Sequence, residues 1–105
     1  MKVFIIEDET PAANHLSKLL LELEPELEIT HRADSIESSV RILRTNPPLD
    51  LIFMDIQLAD GLSFDIFEEV PVHTPVVFTT AFDQYTLKAF KVNSIDYLLK
   101  PIDEN

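Results

Sequence analysis

Short apolar runs return at intervals along this chain, and between them lie stretches whose apolar residues recur every three or four positions. The runs fall at residues 3–6, 49–54, 75–79 and 95–99, with a more polar fifth at 28–33. Runs of four to six apolar residues read as strands buried on both faces, and helical spacing between them supplies crossover connections. The alternation predicts an α/β fold: a doubly wound parallel sheet of five strands with helices on both faces. The polar run at 28–33 belongs at an edge of that sheet.

Local punctuation supports this division. Thr10 and Pro11 read as an N-cap and first-turn pair, followed by Ala13, Leu16, Leu20 and Leu23 at helical spacing until Pro25. Asp34 and Ser35 are candidate caps for a second helix carrying Ile36, Val40 and Leu43, which Asn46, Pro47 and Pro48 stop. Residues 55–61 read as a loop in which Gly61, the only glycine, supplies a backbone angle other residues resist. A short third helix at 62–70 buries Phe64 or Phe67, and Asp83 caps a fourth that ends with Lys88 and Lys91. Asn105 falls where a fifth helix would begin, so the last helix is expected to be missing or truncated.

At 105 residues the chain fits one domain, and its 19 acidic against 8 basic residues give a net charge of -11. Such a field repels phosphate backbones and attracts cations and basic protein surfaces, so direct nucleic-acid binding is not expected. There is no cysteine, hence no disulfide framework, thiolate metal site or thiol nucleophile. No apolar run reaches the about 20 residues of a membrane helix, and the start "MKVFIIEDE" turns acidic too early for a secretory signal. A cytoplasmic location without membrane contact is the simplest expectation. The acidic run "LELEPELEI" reads as solvated surface.

In a doubly wound sheet, ligands bind beyond the C-terminal strand ends. Strand one is followed by Glu7, Asp8 and Glu9, strand three by Asp55, strand four by Thr79 and Thr80, and strand five by Lys100. Carboxylates from two adjacent strands repel unless a cation lies between them, and magnesium suits a site with few protein oxygens and room for water and phosphate. With a hydroxyl and a lysine beside it, a carboxylate is equipped to accept a phosphoryl group. Each residue alone also has a plain structural reading. Acids after a strand occur in solvated loops, Lys-Pro marks surface turns, and Glu9 reads as a first-turn helix acid.

The segments "FIIEDE", "LIFMDIQL", "VVFTTA" and "DYLLKP", in that order and spacing, resemble a CheY-like response-regulator receiver domain along the whole chain. The stretch "TAFDQYTLKAFKVNSIDYLLKPID" further resembles receivers whose output is a LytTR-type (LytR/AlgR) DNA-binding domain. The resemblance implies a flavodoxin-like strand order 2-1-3-4-5, with residues 1–105 forming the receiver and the output domain absent. It implies that Asp55 accepts phosphate from a sensor histidine kinase, controlling transcription through that output domain. Asp8, Asp55 and the backbone carbonyl of Gln57 would bind Mg2+ (or Mn2+), with Glu7 acting through water. Thr80 matches the switch hydroxyl, Ala81 its small neighbour, Tyr97 the moving aromatic and Lys100 the phosphoryl-binding lysine. Gln57 and Phe82 match positions that tune dephosphorylation, which would be slow self-hydrolysis rather than enzyme activity on a substrate. Lys100–Pro101 matches a cis peptide bond. A homodimer would form through the helix-four and strand-five face, or self-association would follow from the missing helix.

Two alternatives compete. A pseudo-receiver would bind partners without phosphorylation, but such proteins tend to lose one of Asp8, Asp55, Thr80 or Lys100. A magnesium phosphohydrolase with an aspartyl nucleophile typically spaces two acids as D-x-D, whereas this chain has Asp55, Ile56, Gln57.

Overall fold

The computed structural model describes residues 1–79 in full, with the backbone of Thr80 and of the strand Ser94–Leu99. In chain order the elements are β1 (Lys2–Ile6), α1 (Thr10–Leu23), β2 (Glu28–Ala33), α2 (Ile36–Arg44) and β3 (Leu51–Asp55). A two-residue hairpin follows, β4 (Gln57–Leu58) and β5 (Gly61–Leu62), then a 3-10 turn (Ser63–Asp65), α3 (Ile66–Glu69), β6 (Val76–Thr80) and β7 (Ser94–Leu99). The five long strands form one parallel sheet in the order β2-β1-β3-β6-β7, the expected doubly wound topology. The fourth helix with its cap Asp83, Ala81, Phe82, Lys100, Pro101 and any final helix lie outside the described residues.

Period-two alternation sends the central strands' side chains into two separate cores. Phe4, Ile6, Ile52, Met54, Val76 and Phe78 face α2 and α3, where Phe78 packs against Phe64 and Phe67 at ring-centre distances of 5.3 and 6.2 Å. Val3, Ile5, Phe53 and Val77 face α1 and meet Ala13 and Leu16. Leu23, expected in that helix's apolar stripe, is instead 65% exposed, at the last residue of the helix.

Several boundaries differ from expectation for local reasons. Glu9, not Thr10, is the N-cap of α1: it is extended (φ -96°, ψ 112°), and its carbonyl accepts the first helical bond from the Ala13 N–H at 3.0 Å. Strand β3 starts at Leu51 rather than residue 49, because pairing with β1 begins only when the Asp50 N–H meets the Lys2 carbonyl at 2.8 Å. It also reaches one residue further, through Asp55, whose pairing partner is Thr79. The β4–β5 hairpin begins in the expected loop and takes Leu62 from the expected third helix, and the 3-10 turn takes Ser63–Asp65, which leaves α3 a single turn.

Among the described residues, the second helix is the most heavily capped element. The Ser35 Oγ accepts from the Ser38 N–H at 3.0 Å, and the Ser38 Oγ accepts from the Ser35 N–H at 3.2 Å, a capping box. The carboxylate of Asp60, at the hairpin turn, accepts from the Ile36 N–H at 2.8 Å and the Glu37 N–H at 3.2 Å. Three of the helix's first amides are thereby satisfied by side chains. Asn46, in the left-handed region at φ 52°, ends the helix ahead of Pro47 and Pro48.

Gly61 has φ +142°, and a Cβ there would sit 3.2 Å from the Cδ1 of Ile36. Gly61→Ala is therefore expected to destabilise the fold by about 1–3 kcal/mol, measured by urea denaturation. The Ile36 N–H, foremost, holds the Asp60 carboxyl below its ordinary value of 3.8, against a smaller opposing effect of desolvation. A group whose folded pKa is depressed stabilises above its unfolded pKa, and that stabilisation is lost as pH falls through the folded value. Protection of the Ile36 and Glu37 amides against exchange, relative to the unfolded chain at the same pH, is accordingly expected to fall as Asp60 protonates below its ordinary value of 3.8, and not in Asp60→Asn.

Candidate functional site

Three strands deliver side chains to one edge of the sheet because their parallel register is continuous. Ile6 pairs with Met54, and Asp55 pairs with Thr79. The residues just past Ile6 and the last residue of β3 therefore emerge side by side. Glu7 is anchored by its N–H to the Ala33 carbonyl at 2.9 Å, and Ile56 by its N–H to the Thr79 carbonyl at 3.2 Å. Apolar strands buried on both faces leave these carboxylates little room to retreat.

Glu7, Asp8 and Asp55 meet there, with one carboxylate oxygen from each lying within 4.8 Å of the others. Glu7 is 7% exposed and Asp55 6%, while Asp8 is half-buried. Carboxylates at that separation repel one another when ionised. Backbone donors offset part of this: the Glu9 N–H reaches the Glu7 Oε2 at 3.1 Å, and the Gln57 N–H reaches the Asp55 Oδ1 at 3.4 Å.

The donor set fits a hard divalent cation. All three ligand atoms are carboxylate oxygens, the hard donors that a magnesium ion takes. The backbone carbonyl of Gln57, two residues beyond Asp55 at the start of the hairpin, is a further oxygen in the same loop.

Glu7, Asp8 and Asp55, expected at this edge, lie together there, and Gln57 follows two residues beyond Asp55 at the start of β4. Thr79 is buried at 2% exposure inside the sheet, as a structural residue. Thr80 and Tyr97 are carried by neighbouring strands β6 and β7, where Thr80 pairs with Leu99; their side chains lie outside the described residues. Ala81, Phe82, Lys100 and Pro101 lie outside them altogether. Glu9 is exposed, in keeping with a role at the helix start. Asp60 was not singled out from sequence, since its partners are 23 and 24 positions away and no local pattern links them. A carboxylate beside the only glycine, at a turn, was the available signal.

The family model described as "Response regulator receiver domain" matches residues 3–105. The chain is 43% identical over 107 residues to the "Sensory transduction protein LytT" of Bacillus anthracis, covering 99% of this chain and 43% of that protein. It is 38% identical to the "Transcriptional regulatory protein BtsR" of Salmonella typhi, covering 99% of this chain and 44% of that protein. The chain thus spans less than half the length of these relatives. Among solved structures, the response regulatory domain of mrkE from Klebsiella pneumoniae superposes with a TM-score of 0.81 at 33% identity, over 99% of this chain and 86% of that one.

Removing one charge from the cluster should relieve its repulsion. Asp55→Asn is expected to melt a few degrees above the parent chain in a chelator at neutral pH, since about 1 kcal/mol moves the midpoint of so small a domain by about 4 °C. A thermal scan that finds the variant unchanged or less stable would contradict the electrostatic account.

Proposed function

The chain belongs to the response regulator receiver domain family, and on that basis we propose that it is a phosphorylation-dependent switch in which Asp55 accepts a phosphoryl group from a sensor histidine kinase. The observation that carries this reading is the cluster itself: a nearly buried Asp55 at the end of β3, with Glu7 and Asp8 within 4.8 Å.

In the transfer, an Asp55 carboxylate oxygen attacks phosphorus as the phosphorus–nitrogen bond of a phosphohistidine breaks. The imidazole nitrogen keeps the bonding electron pair and takes up a proton. Asp8, Asp55, the Gln57 carbonyl and, through water, Glu7 hold Mg2+ (Mn2+ as a substitute), which screens the negative charge on the transferring oxygens. Lys100 balances the acyl phosphate, and Thr80 turns toward it into space left by Ala81. Tyr97 follows, shifting the face formed by the fourth helix and β7, through which homodimers form. Gln57 and Phe82 set the rate of slow self-dephosphorylation.

The full protein couples residues 1–105, as its receiver, to a LytTR-type DNA-binding output, and it acts in the cytoplasm. Support for a transcriptional output comes from the relatives described as sensory transduction and transcriptional regulatory proteins. No helix among the described residues is long and apolar enough to cross a membrane.

Intact-mass measurement after incubation with acetyl phosphate and Mg2+ tests the proposal. One added phosphoryl group, absent without metal and in Asp55→Asn, is the expected result. No gain from acetyl phosphate or from kinase donors would instead identify a pseudo-receiver. Steady phosphate release from small esters would identify a phosphohydrolase.

A further inference from the structure

The hairpin that follows Asp55 carries the Gln57 carbonyl, yet it has only two cross-strand pairs, Gln57 with Leu62 and Leu58 with Gly61. So short a ribbon does not hold its own shape in water. Its fastenings to the rest of the molecule are therefore decisive. At its base, the Ser63 N–H donates to the Ile56 carbonyl at 2.7 Å, and Leu58 is buried in the core. The Ser63 hydroxyl adds no tether; among the described residues, its Oγ is a buried polar atom without a hydrogen-bond partner.

At the other end of the hairpin the fastening is a pair of charge-assisted hydrogen bonds. The two oxygens of Asp60 accept from the Ile36 and Glu37 N–H groups at 2.8 and 3.2 Å, bridging the start of α2. Bonds from amides to a carboxylate are among the stronger hydrogen bonds, and the positive end of a helix adds to them. Gly61 lets the hairpin approach: its φ of +142° and the 3.2 Å clearance to Ile36 both exclude a larger residue without adjustment. Capping does not itself require Asp60 to reach across 24 residues, since Ser35 already caps this helix locally. What the long-range contact adds is a fixed distance between the hairpin and α2.

We propose that Asp60 is a positioning residue for the metal-binding loop, clamping the β4–β5 hairpin to the start of α2 and so holding the Gln57 carbonyl where it ligates magnesium. The inference rests on the reading of Gln57 and the acidic cluster as a magnesium site.

Calorimetric titration of the chain with Mg2+ tests it, using Asp60→Ala, Asp60→Asn, Ser35→Ala and Asp55→Asn. Asp60→Ala is expected to weaken Mg2+ binding by about threefold to tenfold, below the usual loss for a group touching a ligand directly. Asp60→Asn, which keeps one acceptor oxygen, should fall between it and the parent. Ser35→Ala removes a cap from the same helix end without touching the hairpin, and should lose stability but keep metal affinity. Equal affinity in Asp60→Ala and the parent chain would overturn the inference, as would equal losses in Asp60→Ala and Ser35→Ala. If Asp60→Ala does not fold, amide exchange at residues 57–62 in Asp60→Asn decides: faster exchange is expected, and unchanged exchange overturns the clamp. Mg2+ binding that Asp55→Asn leaves intact would overturn the underlying site reading, and the inference with it.

Discussion

Everything at the functional edge depends on the continuous parallel register of β1, β3 and β6. Each strand is buried on both faces, so none can slide by one residue without driving an apolar side chain from one core into the other. That rigidity is what crowds Glu7, Asp8 and Asp55 into one spot despite their mutual repulsion. A flexible loop would let like charges drift apart; a sheet edge anchored by the Glu7 and Ile56 backbone bonds does not. The electrostatic strain and the capacity for a cation are thus the same structural fact.

The second helix plays a larger part than its exposed surface suggests. Its N-terminus is a junction where a local cap from Ser35 and a distant one from Asp60 share the free amides. Through Asp60 the helix reaches the hairpin beyond Asp55, and through Val40 it joins the core that holds Met54. The acidic edge is supported from below by strand packing and from the side by a helix end.

Much of this was readable in the sequence because period and punctuation are local properties. The apolar runs, the halt at Asn46 and the turn at Gly61 each carry their signal within a few residues. Placing Asp55 beside Glu7 and Asp8 needed one further rule, that ligands gather at the strand ends of doubly wound sheets. What escaped was set by contacts distant in sequence. The start of β3 depends on where Lys2 begins to pair, and the hairpin is hidden in residues 57–62 because its strands are too short to show alternation. Thr10 had the better capping side chain, but the first helical carbonyl belongs to Glu9. Asp60's role depends on a helix start that lies 24 residues earlier.

The sheet also divides the interior into two apolar compartments that share strands but no side chains. Phe4 and Ile6 belong to one, Val3 and Ile5 to the other, separated by the thickness of a backbone. A void opened on the α1 side is lined by that compartment's own side chains, so repacking under α2 cannot fill it.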